Sequence, residues 1–565
     1  MTMQFRRFLA VSAVALFAAT AFAPAAFAQN GRPLVFGEKG MVVAASPTAA
    51  QIGQQVLATG GNAVDSVVAT AAAVGLLEPN LSSPFGVGYL LYYSPEIGEV
   101  RGLEFGGRGP SGLDLSLYTS NDIRNRGALS IAVPGNIAGW VTVLEEYGTI
   151  SVADAFAPTI ALAEDGFPLT ASMANSMNSL VNQATDSGYE ETVTYWGRAD
   201  GEPWKAGDIY RNQGYADTLR AVAEEGLGVV YGGRIGEQIA DTVQKYGGVL
   251  SIEDLANFEP EWMTPVSTEY RGYTVYTSAP PSSGLQVLET LEILEGFDVG
   301  AMEHNSPEYL HLFMEAVNLA ATDRDAYIGD PDFVDVPVEW LLSEENTEAR
   351  RAALNLDEAT VSYPPSYQEG TTHFAAADQW GNVVAITNTL SGGWGSRITA
   401  GDSGIIINNA YAYANHNPDH PGVIGPDRRQ AWCLSPMMIF DANNEFWASV
   451  GTPGGETIQQ TQAQVVVNLI DFQMDAQTAV ERPRFAHTWM GQPNYDFPDF
   501  GVLSTSLDGG LPDEVYAELE AMGHPIERAE RYGYTGSNAV IRFDSETGWY
   551  SGGADPRRLL YAVGL

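Results

Sequence analysis

The stretch Gly370-Thr371-Thr372-His373 is suited to chemistry by residue type and order. A threonine that opens a strand behind a glycine fits N-terminal nucleophile chemistry. Its hydroxyl attacks the preceding carbonyl, and hydrolysis of the resulting ester frees a new N-terminus. Glycine at 370 would tolerate the distorted φ/ψ that exposes that carbonyl. The freed α-amine has a reference pKa of about 7.7–8.0, so it can act as general base for its own hydroxyl near neutral pH. Taken alone, the same four residues also read as an ordinary strand start. A second candidate is Thr452-Pro453-Gly454-Gly455, between an apolar strand (Phe446 to Val450) and a helix from about Glu456. Backbone N–H groups at such a junction can hold a developing oxyanion, although a plain Gly-Gly turn has the same sequence.

The elements that must position these residues follow from hydrophobic periodicity. Met41 to Ala45 reads as a strand, Thr48 to Thr59 as an amphipathic helix, and Ala63 to Leu77 as a buried Ala/Val-rich helix. Tyr89 to Tyr93 and Val100 to Phe105 read as paired strands, and helices dominate from Asn136 to about Leu255. Strands at Val266 to Tyr270 and Tyr273 to Thr277 precede a helical stretch from Leu285 to about Tyr327. The Pro/Tyr/Glu stretch Tyr363 to Glu369 ends at Gly370, after which strands prevail: His373 to Asp378, Val383 to Thr389, Gly404 to Asn408, Met437 to Asp441 and Phe446 to Gly451.

Composition narrows the class. The 565 residues carry 70 acidic and 28 basic side chains, a formal charge of −42, with 45% hydrophobic content. The bases include only three lysines, Lys39, Lys205 and Lys245. So acidic a chain repels phosphate backbones and anionic lipid, which sets aside nucleic acid and membrane partners. Few lysines and many carboxylates also resemble salt-adapted surfaces. Residues 1–28 read as a secretory signal: Arg6 and Arg7, an apolar run from Phe8 to Phe22, and Ala26-Phe27-Ala28 before the cleavage point. A periplasmic or secreted location is expected. The single cysteine, Cys433, excludes an internal disulfide, and seven scattered histidines show no metal-ligand spacing. No metal and no cofactor is expected.

The segment TTHFAAADQWGNVVAITNTL (371 to 390) has the pattern TTH-x4-D-x2-GN-x4-T-x-T and resembles the γ-glutamyltransferase family. The resemblance continues through GIIINN (404 to 409), Ser435-Pro436, GTPGG (451 to 455), Pro483-Arg484-Phe485 and Asp555-Pro556-Arg557, and upstream through PPSSG (280 to 284) and DRDAYIGDP (323 to 331). It spans roughly 40 to 565. It implies an α/β (α+β) fold, a four-layer αββα sandwich of the N-terminal nucleophile type. It also implies a proenzyme that cuts itself at Gly370-Thr371 into two associated subunits, 29–370 and 371–565, forming one intertwined domain. Thr371 corresponds to the nucleophile, Thr389 to the threonine that contacts it, and Gly454 and Gly455 to the oxyanion glycines. His373, Asn382 and the DRDAYIGDP stretch read as structural.

The donor-binding positions depart from that family. The arginine that reads the donor's α-carboxylate aligns with Gly106, and Arg108, two residues on, is a candidate substitute. The aspartate that holds the α-amine aligns with Tyr413, the neighbouring glutamine with Ala410, the paired serines with Trp432 and Cys433, and an asparagine with Ser391. A buried carboxylate or ammonium left without its partner costs on the order of 3–5 kcal/mol, so a zwitterionic donor is poorly served. Trp432, Tyr413 and Trp394 would add apolar surface suited to an aromatic or acyl group. The reading that follows is a self-cleaving threonine amidohydrolase or acyltransferase acting on a small-molecule amide. Its alternatives are an ordinary glutathione hydrolase or γ-glutamyl transferase, and an unprocessed secreted scaffold.

Overall fold

Strand alternation governs the two large sheets of the computed structural model, which describes residues 31–117, 127–364, 370–413, 415, 417–490, 501–533 and 536–565. The expected signal, 1–28, lies outside the described residues, as do 365–369 of the stretch before Gly370. Sheet I has the order Tyr561–Gly564, Gly40–Ala44, Thr371–Asp378, Val383–Thr389, Val87–Tyr93, Val100–Phe105, Glu261–Met263. Sheet II has the order Val35–Gly37, Trp549–Ala554, Ala539–Asp544, Phe446–Gly451, Met437–Phe440, Tyr273–Thr277, Val266–Tyr270. Each pairing is antiparallel. Each sheet contains strands from both sides of residue 370.

Side chains sort by parity into three apolar layers. Phe374, Ala376, Val384 and Ile386 leave sheet I on its outer face, where Ala63–Leu77 and Asn136–Tyr147 cover them. Asn62 caps the first of these helices through a reciprocal box with Asp65, which fixes where its buried run begins. Ala375, Ala377, Val383 and Ala385 point inward against Met438 and Ile541 of sheet II. The outer face of sheet II packs on Leu285–Glu295, Pro307–Tyr327 and Ile458–Ile470. The result is the four-layer αββα sandwich.

Two expected elements differ. Gly404 to Asn408 is not a strand; it makes one isolated bridge, Thr399 to Ile406. Its backbone is instead spent on Ser396, Ile398 and Phe85, so it is a buried loop. The helical stretch from Leu285 breaks after Glu295 and restarts at Pro307, behind the Ser306 cap.

Residues of two motifs form a buried charge cluster. Arg484 meets Asp555 at 2.6 Å, Arg557 meets the same carboxylate at 3.0 Å, and Arg557 also pairs with Asp508. All four side chains are buried. Removing one partner strands the others, so Asp555→Ala is expected to cost about 3–5 kcal/mol, read as a fall in the urea midpoint.

Candidate active site

Thr371 is the first residue of its strand and lies opposite Thr389 in the register. Parity turns both side chains toward sheet II. The Thr371 hydroxyl donates to Thr389 Oγ1 at 3.3 Å. Thr389 Oγ1 in turn donates to the Gly370 carbonyl at 2.6 Å and accepts the Ser391 N–H at 2.7 Å. One buried hydroxyl thus polarises the carbonyl before Thr371 and orients the hydroxyl that would attack it. Space adds a reason for glycine at 370. A Cβ there would stand 2.7 Å from the Leu81 side chain.

The glycine turn reaches the same end of the inter-sheet space. His373 faces inward two residues after Thr371, about 7 Å along the strand. Its ring rests on Gly451, where a Cβ would collide with it. The Phe446–Gly451 strand therefore ends over His373, and Thr452 to Gly455 run on from there. Gly454 and Gly455 have φ of 146° and 61°, values that a side chain would oppose. Thr457 Oγ1 donates to the Gly454 carbonyl at 2.9 Å, and the helix Ile458–Ile470 follows. Such a helix N-terminus can hold negative charge. His373 is structural in its bonding: Nδ1 meets Thr387 Oγ1 at 2.8 Å, and burial pushes its pKa down to about 3.

Ser391 adopts φ 79°, and Trp394 and Arg397 in the same loop are also left-handed. Backbone strain of order 1–3 kcal/mol per residue in the loop after Thr389 fits a functional loop. Trp394 does not face the site. It is sunk among Leu180, Trp196 and Leu390, with its indole N–H donated to Ser176 at 2.8 Å.

The positions expected to read a donor lie together around Gly106 and Trp432. Gly106 is buried, and a Cβ on it would lie 2.5 Å from Glu104 Oε1 and 2.9 Å from the Trp432 indole nitrogen. Trp432 donates that N–H to the Gly106 carbonyl at 2.9 Å. The indole therefore stands where a side chain at 106 would begin. Trp432 packs with Val87, Tyr89, Ala410, Leu434 and Ile458, and Cys433 lies against this cluster. Val87 is the cross-strand partner of Thr389, so the apolar cluster adjoins the threonine pair. Cys433 is not an activated thiol, because burial pushes its pKa up. Tyr413 ends the short 3-10 turn Ala410–Tyr413.

Arg108 is engaged in ion pairs. Its guanidinium pairs with Glu261 and lies 3.4 Å from Asp332. Arg429 joins the same network, at 2.7 Å from Asp330 and 2.9 Å from Asp332. Two acids of the DRDAYIGDP stretch are thus spent on ion pairs, Asp330 with Arg429 and Asp323 with Arg350.

Sequence reasoning missed three charged side chains near the site. Glu104 lies buried beside Gly106, and burial pushes its carboxyl up to about 7 against the pull of Arg429 and the Gly106 N–H. Arg558 Nη1 donates to the Thr371 carbonyl at 2.8 Å, and Glu78 accepts from Thr372 Oγ1 at 3.3 Å. Their signal was available: Arg558 follows the Asp555-Pro556-Arg557 motif, and Glu78 ends the buried helix before Leu81. The histidines are also less scattered than their spacing suggests. His311 and His524 meet at 2.7 Å beside Glu315, but His311 is bonded to the Asn355 carbonyl and Glu315 to Thr360. His524 Nδ1 is buried without a hydrogen-bond partner among the described residues, and the cluster lies far along the chain from the threonine pair.

Comparison with known proteins adds to this geometry. Residues 49–565 match the gamma-glutamyltranspeptidase family. The glutathione hydrolase proenzyme of Escherichia coli (strain K12) is 31% identical over 547 residues, covering 93% of this chain and 91% of that protein. The acylase ACY 1 proenzyme of Pseudomonas sp. (strain V22) is 34% identical over 523 residues, covering 89% and 90%. Among solved structures, the cephalosporin acylase from Bacillus halodurans superposes with a TM-score of 0.85 at 29% identity, over 96% of this chain and 99% of that one.

Proposed function

The chain belongs to the gamma-glutamyltranspeptidase family and is a hydrolase of that N-terminal nucleophile fold, and from this premise we propose that it is a self-cleaving threonine amidohydrolase with a donor pocket altered for an apolar acyl group. Thr371 attacks the Gly370 carbonyl, the peptide nitrogen leaves as the α-amine of Thr371, and water hydrolyses the ester. The products are subunits 29–370 and 371–565, which stay associated through their shared sheets. In turnover the α-amine takes the Thr371 hydroxyl proton as Oγ1 attacks the substrate amide. The tetrahedral oxyanion is held by the N–H groups of Gly454 and Gly455. The amine of the substrate leaves with a proton, and water or an acceptor amine then takes the acyl group from Thr371 Oγ1.

One observation carries the acyl preference: Trp432 fills the space next to Gly106 that a carboxylate-reading arginine would need. Arg108 does not compensate, since its guanidinium already faces two carboxylates. Its similarity to a glutathione hydrolase proenzyme favours the second reading, an ordinary γ-glutamyl enzyme. The leader expected over 1–28 makes the enzyme periplasmic or secreted.

The purified protein is expected to run as two bands on a denaturing gel, with intact masses beginning near Gln29 and at Thr371. Given a γ-glutamyl anilide and a series of apolar acyl anilides, it is expected to favour the acyl compounds by at least about tenfold in kcat/KM. Strong turnover of the γ-glutamyl compound alone would sink the acyl reading. A single full-length band would sink the enzyme reading in favour of a scaffold.

A further inference from the structure

The carbonyl edge at the start of the Thr371–Asp378 strand is open on one side. The Gly40–Ala44 strand pairs with Ala375 to Asp378, so Thr371 to Phe374 run past its end. Arg558, just before the last strand of sheet I, fills this gap by donating from Nη1 to the Thr371 carbonyl at 2.8 Å. In an extended residue the N–H and the C=O point to the same edge. The nitrogen that cleavage would free therefore lies on the guanidinium's side, within about 6 Å of its charge.

Other ionisable groups among the described residues face this point. From the end of the Ala63–Leu77 helix, Glu78 reaches Thr372 Oγ1 and attracts Arg558. On the nucleophile's own strand, His373 is neutral because burial pushes its pKa down to about 3. On the sheet II side, Glu456 beyond the glycine turn is paired with Arg324.

We propose that Arg558 is a positioning residue that holds the Thr371 backbone and keeps the nucleophile's own α-amine unprotonated at neutral pH. The proposal rests on the self-cleavage described above, which creates that amine. A fixed cation beside an amine disfavours its ammonium form and so makes the free base available at lower pH. Glu78 does not cancel this effect where it matters. Burial pushes its carboxyl up to about 7, so it is largely uncharged below neutrality. A carboxyl that is largely uncharged in this range leaves the effect of the guanidinium on the amine unopposed by Glu78.

The pH dependence of kcat/KM for the processed enzyme tests this. The acid limb of the wild type is expected at least about one unit below the 7.7–8.0 of an unperturbed α-amine. Arg558→Met is expected to move that limb up by about one unit, and Arg558→Lys, which keeps a cation, to leave it within about 0.3. A limb in Arg558→Met that overlays the wild type overturns the proposal while leaving self-cleavage intact. If Arg558→Met stays uncut, the wild-type profile decides: a limb at or above about 8 overturns it. A wild type that is itself uncut, as one band, would instead remove the self-cleavage reading on which the proposal stands.

Discussion

Thr371→Ala is expected to leave the protein as one uncut chain and to lower amide hydrolysis by about 10⁴-fold or more, because it removes both the attacking oxygen and the cleavage that exposes the base. The geometry makes the comparison with Thr389→Ala informative. Thr389 carries no bond-forming atom; it donates to the Gly370 carbonyl at 2.6 Å and accepts the Thr371 hydroxyl at 3.3 Å. Its loss is expected to slow both cleavage and turnover by about 10²–10³-fold, the usual penalty for removing one polarising donor. Thr371→Ser keeps the oxygen and is expected to cleave. Gel densitometry over time gives the cleavage rates, and anilide release gives turnover. Normal processing in Thr371→Ala would remove the nucleophile assignment outright.

The donor pocket supplies the other large effect. Gly106→Arg alone is expected to destabilise the fold by about 1–3 kcal/mol or more, since its Cβ would meet Glu104 at 2.5 Å and the Trp432 indole at 2.9 Å. Trp432→Ser alone is expected to cost about 3–5 kcal/mol by opening a cavity and to weaken apolar acyl binding. The two changes belong together. With the indole gone, an arginine at 106 has a place to lie, and a charge-assisted contact with a donor carboxylate is worth about 1.5–3 kcal/mol. The double variant is expected to gain about tenfold in kcat/KM for a γ-glutamyl anilide over Trp432→Ser, Glu104 beside the new guanidinium keeping the gain near that lower end. Equal rates for the double and single variants would mean that the space beside Gly106 does not read the donor.

Much of this arrangement was legible in the order of the residues, and the exceptions have physical reasons. Thr371 and Thr389 sit at opposite ends of two alternating runs joined by a tight Asp378–Gly381 turn, so their pairing follows from the hairpin register. Glu104 escaped notice because Val100 to Phe105 alternates like a half-exposed strand. Alternation says which residues share a face, but not that Trp432 and Arg429, from far along the chain, come to lie beside it. Gly404 to Asn408 misled in the opposite direction. Its isoleucines are apolar enough for a strand, yet Ser396, Ile398 and Phe85 take its backbone bonds, contacts that no local pattern announces. The engagement of Arg108 is equally non-local: Glu261 and Asp332 come from distant segments. Glycine at 370 has a further reason that no local pattern shows, the nearness of the Leu81 side chain.

The interleaving of strands also bears on how the chain acquires its structure. Met41 lies opposite Gly564, and Val43 opposite Ala375, so Gly40–Ala44 cannot find one neighbour until about two thirds of the polypeptide has been made, nor the other until nearly all of it has. Contacts this remote in sequence make folding slow and leave unpaired edges exposed for long periods. On the proposed chemistry, the Thr371 hydroxyl meets its polarising partner only after those edges have closed. Appearance of the two bands would then serve as an internal timer, marking the moment at which an individual molecule has finished folding.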